Sequence, residues 1–288
     1  MAFSALQIAF ALLAASWGAA AAGADDAALA DFVERARGAD IVFLGERYDN
    51  PEHHRRQAEI VRALAPAAIV FAMIPQDREA ELNAVREAGG DHAALRVAAG
   101  WPASGGPESE AWASIVDAAP HARIFGAAPS REALREAAEQ GAAEAFGPDA
   151  AIYGLDVPLD PVEQAAREAT MRAARCEAVA EDALPGMVEA QRFRDAVIAD
   201  ATLWARIITG DARVVVIAGT AHADRLRGAP AMIALAEPGA SVVTLGQFDD
   251  DAPAPGEGAF DAVFLTPAPA GRIDPCAGLL APDDRSGD

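Results

Sequence analysis

Short apolar runs alternate with stretches of helical spacing along most of this chain, and that alternation sets the expected architecture. Asp25 to Arg37 places Leu29, Phe32 and Val33 on one face and predicts a helix stopped by Gly38. The run Ile41 to Leu44 predicts the first strand. Pro51 to Leu64 predicts a helix: Asp49 or Asn50 caps it, Pro51 takes the favoured first position, and Glu52 suits the positive helix end. Ala68 to Ile74, stopped by Pro75, predicts a second strand, and Gln76 to about Ala88 a polar helix. Gly89 to Gly106 reads as a loop with a short helix. A helix over Glu108 to Ala119, a strand over Arg123 to Ala127 and a helix over Arg131 to Gln140, capped by Ser130, follow.

In the second half, Ala150 to Val157 reads as a strand or a connection. Two long helices, Pro161 to Ala183 and Gly186 to Thr209, are separated by Pro185-Gly186. Arg213 to Gly219 is the strongest strand, because Val214 to Ile217 is unbroken and suits burial on both faces. Pro230 to Ala236 predicts a short helix and Ser241 to Leu245 a strand. Asp249 to Gly258 reads as an acidic loop, and Asp261 to Thr266 as an edge strand. Strands that alternate with helices predict a three-layer α/β/α sandwich around a mainly parallel, Rossmann-like sheet, with a helical excursion. No internal repeat and no dividing linker appears, so one domain is expected.

Composition narrows the function. The 288 residues carry a net charge of −21, with a pI near 4.5. Such a surface repels nucleic acid and anionic lipid. Every basic side chain other than histidine is arginine, since lysine is absent. That excludes a Schiff-base lysine, a pyridoxal phosphate site and a Walker-type loop. Residues 1–22 read as a secretory signal: apolar, uncharged, and ending in the alanine run Ala19 to Ala22. Its cleavage leaves 23–288 as the mature domain, exported to a periplasmic space and not integral to the membrane; the alternative reading of the same run is an uncleaved membrane anchor. No cysteine follows the apolar run that could serve as a lipobox. Cys176 and Cys276, the two cysteines, are then expected to pair and pin the C-terminal tail to the long helix.

Two turns carry the candidate chemistry. The first strand ends Gly45-Glu46-Arg47-Tyr48, and the late strand ends Gly219-Thr220-Ala221-His222. Parallel strands that end this way bring such groups to one rim of the sheet. His54 and Gln57 share the helix face that carries Val61 and Leu64, which points them to the rim. His53 is turned away by about 100 degrees. Arg47, Arg55 and Arg56 read either as an anion site at the helix start or as surface ion pairs with Glu52 and Glu59. His92 and His121 read as surface residues. No Gly-x-Ser-x-Gly, His-Glu-x-x-His, paired CxxC or Gly-x-Gly-x-x-Gly motif is present.

The segment Leu44-Gly-Glu-Arg-Tyr-Asp-Asn-Pro-Glu-His-His-Arg-Arg-Gln57 resembles the opening motif of the ChaN-like haem-binding uptake family of the Tiki superfamily. Leu184 to Asp195, Val214 to Ala223 and Gly228-Ala-Pro230 resemble later parts of it, so the likeness spans about Gly38 to Gln247. The resemblance implies a three-layer domain, export, and haem binding linked to iron uptake, with haem or another small ligand as partner. It admits a homodimer with haem between two protomers. The wider superfamily includes proposed metal-dependent hydrolases built on two Gly-x-x-His motifs and a glutamate. Here Tyr48 stands at the first histidine and Ala72 at the second-strand glutamate, while His222 keeps the second histidine. Those changes argue against hydrolysis and leave haem binding, since tyrosinate and histidine both ligate ferric haem. The implied haem site is Tyr48, His54, His222, Glu46, Arg47 and Gln57. The alternatives are a divalent metal held by His54, His222, Glu46 and Asp224, or a degenerate module that binds neither.

Overall fold

The computed structural model describes residues 27–101, 107–272 and 276–277, without side chains for 107–111. The signal read at 1–22 lies outside them. Six strands form one sheet: β1 (Ile41–Glu46), β2 (Ala68–Pro75), β3 (Arg123–Ala128), β4 (Val214–Gly219), β5 (Val242–Asp249) and β6 (Ala262–Thr266). Their order is β3-β2-β4-β1-β5-β6, and every pairing is parallel. The late strand β4 inserts between the two earliest strands. That is why its valine run is buried on both faces.

The pleat sends alternate residues of β1 to opposite cores. Val42 and Leu44 join Phe32, Ile60, Val61, Phe71 and Trp112 on one face. This layer holds α1 (27–36), α2 (Pro51–Leu64), α3 (Glu79–Glu87), α4 (His92–Ala98) and α5 (Pro107–Ala118). Ile41 and Phe43 join Val70, Phe125, Phe193, Ile198 and Val216 on the other. There lie α6 (Arg131–Gln140), α7 (Ala142–Phe146), α8 (Pro161–Ala174), α9 (Leu184–Ile208) and α10 (Ala229–Ala236). The three-layer α/β/α architecture expected from the alternation is the one observed.

Three boundaries differ from the sequence pattern. The first long helix ends at Ala174, not Ala183, because Cys176 and Glu177 take left-handed backbone angles (φ 57° and 59°). Pro185-Gly186 does not divide helices: Pro185 sits in the first turn of α9, where a missing N–H costs nothing. Strand β5 runs on to Asp249, because β6 pairs with its second half from Leu245↔Ala262 to Asp249↔Thr266. The ambiguous stretch Ala150 to Val157 is a connection that opens with a 3-10 turn, Ala150–Tyr153. Buried Arg192 holds it by donating to the Gly154, Leu155 and Val157 carbonyls.

Helix α9 runs antiparallel to the strands. Arg206 near its end faces Asp40 at the amino edge of β1, while Asp195 at its middle reaches the carboxyl rim. At 25 residues it is about 37 Å long, against about 20 Å for a six-residue strand. Its first half therefore stands beyond the rim, and α8 packs on it there. Cys176, in the turn after α8 and not within a helix, bonds Cys276 of the tail with a Cα–Cα distance of 5.5 Å. The expected pairing is present, with the anchor point moved from the helix to this turn.

Candidate functional site

Strands β1 and β4 end side by side, with Glu46 in register with Gly219. The two chemistry-bearing turns thus adjoin at one rim, as parallel neighbours require. The contact is close. A Cβ on Gly45 would lie 2.9 Å from the Leu245 carbonyl oxygen and 3.0 Å from Thr220 Cα, so only glycine lets β1 leave the sheet beneath the β4 turn. A Cβ on Gly228 would lie 2.4 Å from the His222 carbonyl oxygen, which fixes the far side of that turn.

His222 lies in the turn Thr220–Ala223 with its side chain 14% exposed. Its Nδ1 is 2.6 Å from Asp195 Oδ1, and its Nε2 makes no hydrogen bond with a described residue. Asp195 is fully buried, and its other oxygen has no partner among the described residues. Burial pushes its carboxyl above the usual range, while His222, Arg167 and Arg194 pull it back. A buried carboxylate on one ring nitrogen fixes the tautomer and orientation of the ring and leaves the other nitrogen as a donor to a ligand.

Tyr48 is 65% exposed and its hydroxyl has no partner among the described residues. It projects from the turn that follows β1, the strand paired with β4. Glu46 and His54 are both buried, with His54 Nε2 3.1 Å from Glu46 Oε2. Glu46 Oε2 and His54 Nδ1 lack hydrogen-bond partners among the described residues. Gln57 is also buried, donating from Nε2 to the Leu44 carbonyl at 3.3 Å.

His53 corrects its expected orientation. It is fully buried, not turned away. The reason is the extended edge of the sheet: β5 and β6 wrap a second face of α2. The Arg47 backbone N–H donates to His53 Nδ1 at 3.0 Å, so that nitrogen carries no proton and Nε2 donates to Thr266 Oγ1 at 2.8 Å. Burial, only partly opposed by Asp249 and Glu46, pushes its pKa down to about 4. Asn50 confirms its capping role: Oδ1 accepts from the Glu52 N–H, while Nδ2 donates to Asp249 Oδ1 and Thr266 Oγ1. Asp249 also binds Arg47 and Arg272, and Arg272 reaches back to Asp49.

The arginines at the start of α2 do not form an open anion site. Arg55 pairs with Glu52 and Glu59, Arg56 lies near Glu52 and over the Phe264 ring, and Arg47 pairs with Asp249. The proposed metal set is not assembled either. Asp224 accepts from the Leu226 and Arg227 N–H groups and caps its own turn, His222 is held by Asp195, and Glu46 faces His54. Among the described residues, no three His, Cys, Asp or Glu side chains gather as a metal cluster. His92 pairs with Asp117 at the surface, and His121 is exposed.

Sequence reading missed Asp195, Asp249 and Thr266. Asp195 had a signal, for it closes the family-like stretch from Leu184. Asp249 and Thr266 had none, because their roles come from strand pairing alone.

The family described as "Haem-binding uptake, Tiki superfamily, ChaN" matches residues 32–233, most of the chain. The chain belongs to this family. No curated protein matches it in sequence. Among solved structures, the ChaN of Campylobacter jejuni, described with cofacial haem binding, superposes with a TM-score of 0.57 at 18% identity. The match covers 77% of this chain and 87% of that one, and shows that the ChaN fold is shared. The type III effector HopBA1 gives a TM-score of 0.47 at 10% identity, over 82% and 91% of the two chains. The Gly45 and Gly219 turns both fall inside the segment matched to the ChaN family.

Proposed function

We propose that this chain binds haem at the carboxyl rim of its sheet and serves haem or iron uptake after export to a periplasmic space. The observation that carries the reading is the His222–Asp195 pair, an imidazole held at Nδ1 by a buried carboxylate with Nε2 left without a partner among the described residues. Exposed Tyr48, on the adjoining turn, adds a phenol of the kind that ligates ferric iron. The donor set therefore fits haem. Apolar surface for the ring stands at the same edge: Val162 and Leu226 are exposed beside the Glu163–Arg227 ion pair that joins α8 to the β4 turn. Bound haem would supply the iron and the porphyrin. The chain's own residues orient the donors, with Asp195 setting the His222 ring and Gly228 allowing the turn to close. An exposed phenol suits a ring laid on an open face, and the cofacial haem described for the Campylobacter relative supports a second copy of this chain as partner.

The metal-dependent hydrolase reading is weaker, because Asp224 and Glu46 are engaged with other partners and do not converge on His222. A haemin titration of the exported, disulfide-bonded chain tests the proposal. A saturable Soret shift, with stoichiometry from the equivalence point, is expected. The reading is overturned by the absence of such a shift, or by one unchanged in both Tyr48→Phe and His222→Ala.

A further inference from the structure

Helix α9 buries one face against the sheet and leaves a second stripe in view. Asp200, Leu203, Trp204 and Ile207 follow the i, i+3, i+4, i+7 spacing that sets residues on one helix face. Trp204 is 47% exposed and Ile207 65%, while Leu203 is half-buried. Exposed apolar residues ordinarily stand singly; these line one cavity of about 340 Å³. That volume suits a small organic molecule. Tyr153, from the 3-10 turn, and Glu237, which closes α10, supply further walls. The cavity is separate from the carboxyl rim. Arg206, in its wall, faces Asp40 at the amino edge of β1, about 16 Å along α9 from Asp195.

The charges that line it do not balance. Arg206 is engaged, with Nη2 3.6 Å from Asp211 Oδ1 and 3.9 Å from Asp40 Oδ1. Neither Asp200 nor Glu237 pairs with a cation among the described residues. Asp200 accepts from the buried Tyr153 hydroxyl at 2.9 Å. Burial first, and then the bond to Asp200, push the Tyr153 pKa up, so the phenol stays a donor and holds the carboxylate in place. The Glu237 side chain makes no hydrogen bond to a described residue.

Two carboxylates without a counter-cation thus share a cavity with an exposed indole. Carboxylates meet positive charge, and the face of an indole attracts a cation through its quadrupole. Leu203 and Ile207 add apolar wall for the body that carries the charge. A second copy of this chain is a poor occupant, because each copy has a net charge of −21. We infer that this cavity binds an organic cation, an ammonium group on an apolar or aromatic body, at a site independent of haem.

The test titrates the full chain with benzyltrimethylammonium, followed by ligand-observed NMR. Benzyl alcohol serves as a neutral relative and benzoate as an anionic one. The cation is expected to bind saturably, about tenfold more tightly than the alcohol, and benzoate not at all. Trp204→Leu keeps an apolar contact and removes the indole face. Asp200→Asn with Glu237→Gln removes the charges at constant size. Each change is expected to weaken the cation about fivefold and to leave the alcohol within about twofold of the parent. Trp204, Asp200 and Glu237 are all exposed, so neither variant threatens folding. No saturable binding of the cation by the parent overturns the site. Equal affinity for the alcohol overturns its selectivity for charge. A cation affinity unchanged in both variants overturns its placement, since the probe then sits elsewhere on the acidic surface.

Discussion

Asp195 on α9 and His222 on the turn after β4 meet through a 2.6 Å contact between Oδ1 and Nδ1. The carboxylate is fully buried and the imidazole is partly exposed, so the pair works in one direction: a rigid interior group orients a solvent-facing one. Asp195→Asn removes the charge and keeps the size. It is expected to weaken haem binding by about 10–100-fold, the usual cost of losing the group that orients a ligating histidine. The urea midpoint should change little, because burial already disfavours the charged carboxylate. Soret titrations and urea curves on the same preparations separate a ligand effect from unfolding.

Tyr48 makes the complementary case. Its side chain is largely exposed and makes no hydrogen bond to a described residue. Tyr48→Phe should therefore change stability by no more than about 0.5 kcal/mol. The haem complex should lose any tyrosinate-to-iron charge-transfer band, which visible spectroscopy reads directly. A variant complex with the parent spectrum would remove Tyr48 from the coordination sphere.

His53 should make the fold acid-sensitive. Its folded pKa is pushed down to about 4, chiefly by burial, from an ordinary value of 6.5. Between those values the unfolded chain binds a proton that the folded chain excludes, so stability rises with pH. The contribution is complete above about pH 6.5 and is lost as pH falls toward about 4, a difference of ~3 kcal/mol. Asp249, held below the usual carboxylate range by Arg272, Asn50 and Arg47 against the effect of its burial, adds its own loss at still lower pH. Urea unfolding of the parent and His53→Gln across this range checks the point. An equal pH slope in both chains would assign the dependence to other groups.

The disulfide spans a sequence separation of 100 residues between Cys176 and Cys276. Closing a loop of that length stabilises by up to ~4.7 kcal/mol in the chain-entropy picture. Reduction, or Cys276→Ser, should lower the melting temperature by several degrees. It should also loosen α8, which no buried residue of its own anchors. Calorimetry with and without reductant measures the first effect, and hydrogen exchange over Pro161–Ala174 the second.

Gly228→Ala probes the His222 turn from behind. The added Cβ would lie 2.4 Å from the His222 carbonyl oxygen, a backbone contact that cannot rotate away. The turn must shift, at a cost of about 1–3 kcal/mol. Haem affinity should fall with no ligating side chain removed, as paired thermal and Soret measurements would show.

Local order was written into the sequence. The spacing of apolar residues gave the helix Pro51–Leu64 and the strand Ala68–Pro75, because side-chain periodicity reports directly which face is buried. Asn50 and Pro51 announced their helix start through capping chemistry that needs no distant partner. The two-cysteine count in a chain read as exported was enough to pair Cys176 with Cys276.

The tertiary structure decided everything that depends on which segments become neighbours. It put β4 between β1 and β2, and so set Gly219 beside Glu46. It wrapped β5 and β6 around α2, burying a histidine that helical geometry alone had sent to the surface. It laid α9 against the sheet so that Asp195 reached His222. Periodicity is a property of one element at a time. These contacts arise where the sheet is closed by strands that lie more than a hundred residues apart in the chain, and no local pattern records that closure.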